Sequence, residues 1–187
     1  MKENLYKAIQ ERDETLFMES WRHFISSDFD DIAQILVYCI KMQFETGVKT
    51  ILDAGILSGY WLDPAIYEAI CVGDVETLEA LIYRAEPERY YILIALEKKH
   101  WHVAKFLAEK GYYTSANFCL PKCVECPELV EFFLKRGVCS DYIQSALQEA
   151  VLKRCKRSVE ILLEHGANPT PDLIPHLVKM NVGIFGL

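Results

Sequence analysis

Apolar and polar positions recur along the chain in a short pattern that ends in glycine. In one copy, "VEILLEHGA", Val159, Leu162 and Leu163 are spaced as i, i+3 and i+4, which places them on one face of a helix. Gly166 follows the last polar residue, and a glycine there closes a helix by adopting a left-handed backbone. The pattern predicts the ends of five amphipathic helices, anchored at Gly55, Ala85, Gly111, Gly137 and Gly166.

A second helical segment precedes each of these helices. Two clear cases run over residues 63–74 and 141–154. Asp63 followed by Pro64 predicts a helix start in which the carboxylate caps the first turn and the proline occupies it. The repeated unit is therefore a helix, a tight turn, a second helix and a loop closed by glycine. It predicts an all-α fold.

The unit resembles the ankyrin repeat. The ending "LLEHGANP" at residues 162–169 is the most specific match, and Thr170-Pro171 reproduces the opening of that family's first helix. The alanine position of the first helix is occupied by Ala69, Ala95 and Ala150. The resemblance implies an ankyrin-like α-solenoid of short helix-turn-helix repeats. Because these units fall short of the family's usual length of about 33 residues, we expect shortened inter-repeat loops. An α-solenoid of the HEAT or TPR kind is the alternative.

The resemblance also implies one array over residues 1–187. Residues 1–30 would form a degenerate capping repeat, and residues 31–169 about five repeats around the anchors given above. Residues 170–187 would form a closing helix followed by an apolar tail, "NVGIFGL". Terminal repeats normally present a polar outer face, so an apolar tail predicts self-association as a further alternative.

Charge, apolar runs and cysteine content limit the possible partners and the cellular compartment. The formal net charge of -7 argues against nucleic acid and favours a partner surface of basic, or apolar and basic, character. No run of apolar residues is long enough to insert into a membrane, and "MKENLYKAIQ" lacks the apolar core of a signal peptide. Seven scattered cysteines fit a reducing compartment, so we expect an intracellular, cytoplasmic protein.

The stretch "CLPKCVEC" raises the question of a metal site. It spaces Cys119, Cys123 and Cys126 as C-x3-C-x2-C, which suits thiolates around zinc or an iron–sulfur cluster. A tetrahedral zinc site would need a fourth ligand, and a helix pair gives no loop that wraps a cluster. Free cysteines are commonly buried as small apolar residues. We therefore expect packing and no bound metal or cofactor, with a small metal-binding or redox protein as the alternative.

Aromatic residues recur shortly after the loop glycines, where partner-binding positions are expected. Tyrosine and tryptophan combine apolar area with a hydrogen-bonding tip and are enriched at binding hot spots. The alternative is that the rings fill the room left by short loops. We expect Tyr91 and Tyr113 to face outward and Trp61 to be buried. The candidate partner-binding residues are Tyr60, Tyr90, Tyr91, Tyr112, Tyr113 and Tyr142.

No catalytic motif stands out in the sequence, so we expect a protein that is not an enzyme. The ankyrin resemblance implies a protein–protein interaction module that binds a partner on its concave face and loop tips. Divergent arrays of this kind are similar to those that viruses and intracellular bacteria direct against host proteins. The resemblance would then place the chain in the host cytoplasm.

Overall fold

Helices account for all the regular secondary structure in the computed structural model, which describes residues 2–182. This confirms the predicted all-α class. The chain forms two compact units, of which the first ends at Tyr91 and the second begins at Ile92. The first unit holds α1 (Lys2–Glu11), α2 (Glu14–Phe24), α3 (Phe29–Lys41), α4 (Glu45–Asp53), a 3-10 helix (Gly59–Leu62), α5 (Asp63–Val72) and α6 (Val75–Ile82).

The second unit contains the remaining helices. α7 (Tyr91–Glu97) begins on the last residue of the first unit. It is followed by α8 (Trp101–Glu109), α9 (Ala116–Cys119), a 3-10 helix (Leu120–Lys122), α10 (Pro127–Leu134), α11 (Ser140–Leu152), α12 (Lys156–Glu164) and α13 (Ile174–Lys179). The predicted closing helix corresponds to α13, whereas residues 183–187 of the predicted apolar tail lie outside the described residues. The single array remains a prediction.

One tight turn recurs between the two helices of five helix pairs. In each copy one residue has a left-handed backbone, with φ between 52° and 80°, and the next residue donates its N–H to the carbonyl five positions earlier at 2.8–2.9 Å. This bond is the long hydrogen bond of a Schellman closure, which satisfies a carbonyl at the end of the first helix. The left-handed residues are Arg12, Gln43, Gly73, Lys99 and Arg154.

The loop glycines close the second helices as predicted. Gly55, Gly111, Gly137 and Gly166 have φ between 66° and 88°, and a Cβ on any of them would meet no atom within 4 Å. Backbone conformation therefore explains why glycine is favoured there. The fifth anchor, Ala85, is not among the residues with positive φ, so the chain leaves α6 by a different path.

The pair formed by α9 and α10 is the most irregular. Its first helix begins at Ala116, because Ser115 accepts the N–H of Asn117 at 3.2 Å and caps it. Four residues later the chain changes to a 3-10 helix that contains Pro121. Proline has no N–H to donate to an α-helical ladder, which accounts for the change.

Buried contacts hold neighbouring pairs together within each unit. In the first unit, Phe17 of α2 packs edge-on against Phe44 at 5.2 Å between ring centroids. In the second unit, the hydroxyl of Ser158 is fully buried and donates to the carbonyl of Val124 at 2.6 Å. That bond ties the start of α12 to the turn before α10.

Candidate functional site

Three aromatic rings meet just before α5 in the first unit. Tyr60 and Trp61 lie in the 3-10 helix that leads into α5, with their ring centroids 4.6 Å apart. Phe29, the first residue of α3, lies 5.9 Å from Trp61. Trp61 is half-buried, so our prediction of a buried ring is only partly right, while Tyr60 and Phe29 are 73% and 47% exposed.

A second group of rings lies one turn further along α5. Tyr67 of α5 is 6.1 Å from Tyr91, and Tyr90 is 4.6 Å from Tyr91, both in edge-to-face geometry. Tyr67 and Tyr90 are exposed, whereas Tyr91 is only 3% exposed. Our prediction that Tyr91 faces outward is therefore wrong.

The buried position of Tyr91 has a clear physical cause. Its hydroxyl donates a 2.8 Å hydrogen bond to Oδ2 of Asp63, and its ring packs against Tyr67 and Tyr90. Burial is the main reason that the pKa of Tyr91 is raised above its ordinary value. The prediction that Asp63 caps α5 is also wrong, because Leu62 holds the capping position and the carboxylate binds Tyr91.

Both ring groups surround the start of α5 and leave four rings exposed to solvent. We call Phe29, Tyr60, Tyr67 and Tyr90 the aromatic surface. Each of its rings packs against a more buried ring, either Trp61 or Tyr91. The pairs of Tyr67 and Tyr90 with Tyr91 are edge-to-face, and those of Phe29 and Tyr60 with Trp61 are tilted. Each exposed ring is therefore packed on one side and open to solvent on the other.

Two members of this surface were not predicted from the sequence. Tyr60 shortly follows the anchor Gly55 and Tyr90 shortly follows the anchor Ala85, whereas Phe29 and Tyr67 follow no anchor closely. The available signal was helical spacing, since Tyr67 lies four residues after Asp63 and so on the same side of α5.

The other predicted tyrosines lie in the second unit and have different surroundings. Tyr113 is half-buried, with its ring 5.5 Å from Phe133 and 6.3 Å from Phe132, so it fills space beside α10. Tyr112 is half-buried as well. Tyr142 packs edge-on against the exposed Phe118 at 5.7 Å.

A groove of about 490 Å³ in the second unit is lined by the Phe118–Tyr142 pair together with Trp101 and several charged residues. Glu125 lies between two lysines there, 2.7 Å from Nζ of Lys99 and 3.2 Å from Nζ of Lys153. The hydrogen bond from Lys99, helped by Lys153, lowers the pKa of Glu125. Because the glutamate offsets part of the lysine charge, the groove has no strong net charge.

The cysteines of "CLPKCVEC" lie in a buried helix pair in the second unit. Burial raises the pKa of Cys119 to about 11, and burial also raises that of Cys123, whose thiol donates to the carbonyl of Leu120 at 3.2 Å. Cys126 holds the capping position before α10. Within residues 2–182, no group of three or more His, Cys, Asp or Glu side chains is arranged to hold a metal ion. Cys119 and Cys123 pack as buried groups, whereas Cys126 is half-buried and its thiol donates to Oε2 of Glu128 at 3.3 Å.

Charge is unequally divided between the two units. The first carries eight lysines and arginines against 17 aspartates and glutamates, a formal charge of -9. The second carries 12 against 10, a formal charge of +2. The aromatic surface therefore lies on the acidic unit.

Comparisons with known proteins identify no relative of this chain. No protein family, curated protein or solved structure matches the chain. Over residues 2–182, no helix combines the length and the apolar character needed to cross a bilayer.

Proposed function

We propose that the protein is a non-enzymatic interaction module of ankyrin-like architecture that binds a partner protein through the aromatic surface. In support of that architecture, the same left-handed turn closes five first helices. In three pairs the loop glycine follows that turn residue by 12 positions, as in Lys99 to Gly111 and Arg154 to Gly166. The proposed location is the cytoplasm.

The observation that carries the binding proposal is the exposure of four rings packed on two anchored ones. Tyr60 is 73% exposed, yet its ring is held 4.6 Å from Trp61. Tyr90 is 48% exposed, and its ring is held at the same distance from Tyr91. Rings that are already ordered lose little side-chain entropy when a partner covers them, which favours their use as hot spots. Tyr112, Tyr113 and Tyr142 stay predicted contacts of the second unit.

A capture experiment with a matched control tests the proposal. The wild-type chain, a Tyr60→Ala/Tyr90→Ala variant and a Tyr83→Ala variant are used to capture proteins from extracts of the cells in which the chain is made. Tyr83 is 93% exposed at the end of α6 and belongs to neither ring group. It therefore controls for the loss of an exposed tyrosine. Circular dichroism and thermal unfolding confirm that each variant is folded.

We expect one protein to be retained by the wild type and by Tyr83→Ala but lost with the double variant. A partner retained equally by all three chains would contradict the aromatic surface. Light scattering on the purified wild type tests the self-association alternative, and a stable dimer that the double variant converts to monomers would assign the surface to a second copy.

A further inference from the structure

We propose that the aromatic surface binds a partner segment that carries arginine or lysine side chains next to apolar ones. This inference rests on the proposed function and names the chemistry of the partner. It starts from the charge of the first unit, which is -9, and from the carboxylates that lie next to the rings in the sequence.

Carboxylates lie close in sequence to three of the four exposed rings, those of Phe29, Tyr67 and Tyr90. Exposed Asp28 and Asp30 stand on either side of Phe29, and Glu68 directly follows Tyr67, with which it interacts electrostatically. Exposed Glu86 and Glu88 shortly precede Tyr90.

Cations near the rings are fewer. Lys2 forms an ion pair with Asp31, and exposed Arg89 precedes Tyr90. The sequence neighbours of Phe29, Tyr67 and Tyr90 are therefore acidic on balance, as is the unit that carries them.

Aromatic faces and carboxylates together match the chemistry of a guanidinium or ammonium group. A cation over the face of a tyrosine is attracted by the ring quadrupole, and a nearby carboxylate accepts its N–H groups. The apolar part of an arginine or lysine side chain packs on the same ring, as does a neighbouring apolar residue. At longer range, the charge of the unit attracts a basic segment and repels an acidic one.

Three labelled peptides serve as probes. They share leucines at helical spacing and differ only in their polar positions, which are arginine, glutamine or glutamate. Fluorescence polarisation measures their binding to the wild-type chain, to Tyr60→Ala/Tyr90→Ala and to Tyr83→Ala. A fourth chain, Asp28→Asn/Asp30→Asn, lowers the local negative charge and leaves the rings in place.

For the wild type, we expect the arginine peptide to bind at least about tenfold more tightly than the glutamine peptide, and the glutamate peptide least of all. The Tyr60→Ala/Tyr90→Ala variant keeps the charge and loses about tenfold or more in affinity for the arginine peptide, whereas Tyr83→Ala changes it little. The Asp28→Asn/Asp30→Asn variant binds the arginine peptide more weakly than the wild type does, and its affinity for the other two peptides is unchanged.

Three results overturn the proposal. Equal binding of the arginine peptide to the wild type and to the ring variant shows general attraction to an acidic protein. Equal, ring-dependent binding of the arginine and glutamine peptides refutes the basic partner and leaves the proposed function standing. If the wild type still captures its partner but does not bind the arginine peptide, the basic partner is likewise refuted and the proposed function stands. Failure of the capture experiment itself overturns the proposed function.

Discussion

The hydroxyl of Tyr91 donates a 2.8 Å hydrogen bond to Oδ2 of Asp63 and so joins the last residue of the first unit to the start of α5. The bond fixes the buried ring on which Tyr67 and Tyr90 pack. It therefore determines which of two consecutive tyrosines faces solvent.

Removing that hydroxyl is expected to lower stability measurably. Tyr91→Phe keeps the ring and loses one hydrogen bond to a carboxylate, which we expect to reduce the free energy of unfolding by roughly 1.5–3 kcal/mol. Urea unfolding at pH 7 measures the change. Tyr60→Phe is the control, because its ring is 73% exposed, and we expect a change within about 0.5 kcal/mol. Equal effects of the two substitutions would contradict the structural role of the Tyr91 hydroxyl.

Two glycines are expected to resist substitution for different reasons. Gly166 has φ +88° and open space around it, so Gly166→Ala costs about 1 kcal/mol through the backbone alone. Gly47 lies within α4, where an added Cβ would come 2.5 Å from Cδ1 of Phe44 and 2.6 Å from Sγ of Cys39. Gly47→Ala therefore costs roughly 1–3 kcal/mol through overpacking.

Substitution by asparagine distinguishes the backbone effect at Gly166 from the overpacking at Gly47. It tolerates a left-handed backbone, so Gly166→Asn should recover much of the stability that Gly166→Ala loses. Gly47→Asn should be worse than Gly47→Ala, since it adds more atoms to the same contact. Thermal unfolding of the four variants makes the comparison, and the same ranking at both positions would refute the explanation.

Glu125 is expected to make stability depend on pH. Its pKa is lowered in the folded chain by the hydrogen bond from Lys99 and by Lys153, so its contribution is present above the unfolded pKa of about 4.3 and is lost as pH falls through the folded value. We expect Glu125→Gln to lower the free energy of unfolding by up to about 1 kcal/mol at pH 7.

The difference between Glu125→Gln and wild type should shrink as the pH falls from 7 through the lowered folded pKa of Glu125, and it should vanish only below that value. Denaturant unfolding over a series of pH values from 7 downward measures it. Glu131→Gln is the control, because its pair with Lys135 is long, at 3.9 Å, and solvent-exposed. A difference for Glu125→Gln that persists undiminished at low pH would contradict an ionic origin.

Thiol labelling is expected to separate the seven cysteines by burial. Cys139 is exposed, whereas Cys39, Cys119 and Cys123 are buried. A small aromatic disulfide reagent should therefore modify Cys139 first in the native chain and should reach the three buried thiols only on unfolding. Cys139→Ser should remove the fastest phase. Rapid native labelling of Cys119 or Cys123, identified by peptide mass, would contradict their packing role.

The fold was predictable at positions where the residue type has one strong conformational preference. Gly111, Gly137 and the other loop glycines predict a left-handed backbone, and the spacing of apolar residues predicts the helix that precedes each of them. The turns between helices were harder to predict. At Arg12 and Lys99 an ordinary side chain takes a positive φ that its own chemistry does not favour. The hydrogen bond that the next residue donates back to the first helix accompanies that conformation, and the residue type alone does not indicate it.

The candidate site was predictable only in part, because exposure depends on contacts between distant residues. Tyr90 and Tyr91 are indistinguishable in local sequence, and the bond from Tyr91 to Asp63, 28 residues away, decides which one is buried. Phe29 joins the aromatic surface through Trp61, a residue of a later helix pair. Such partners become visible only when α3 packs against α5.

Site-specific photo-crosslinking tests the central claim most directly. A photoreactive phenylalanine analogue replaces Tyr60, Tyr90 or, as a control, Tyr83, and the chain is irradiated inside the cells that make it. We predict that Tyr60 and Tyr90 positions both crosslink to the same partner protein, within a segment that contains arginine or lysine, and that the Tyr83 position does not. Crosslinks to that partner from the Tyr83 position alone would contradict the account.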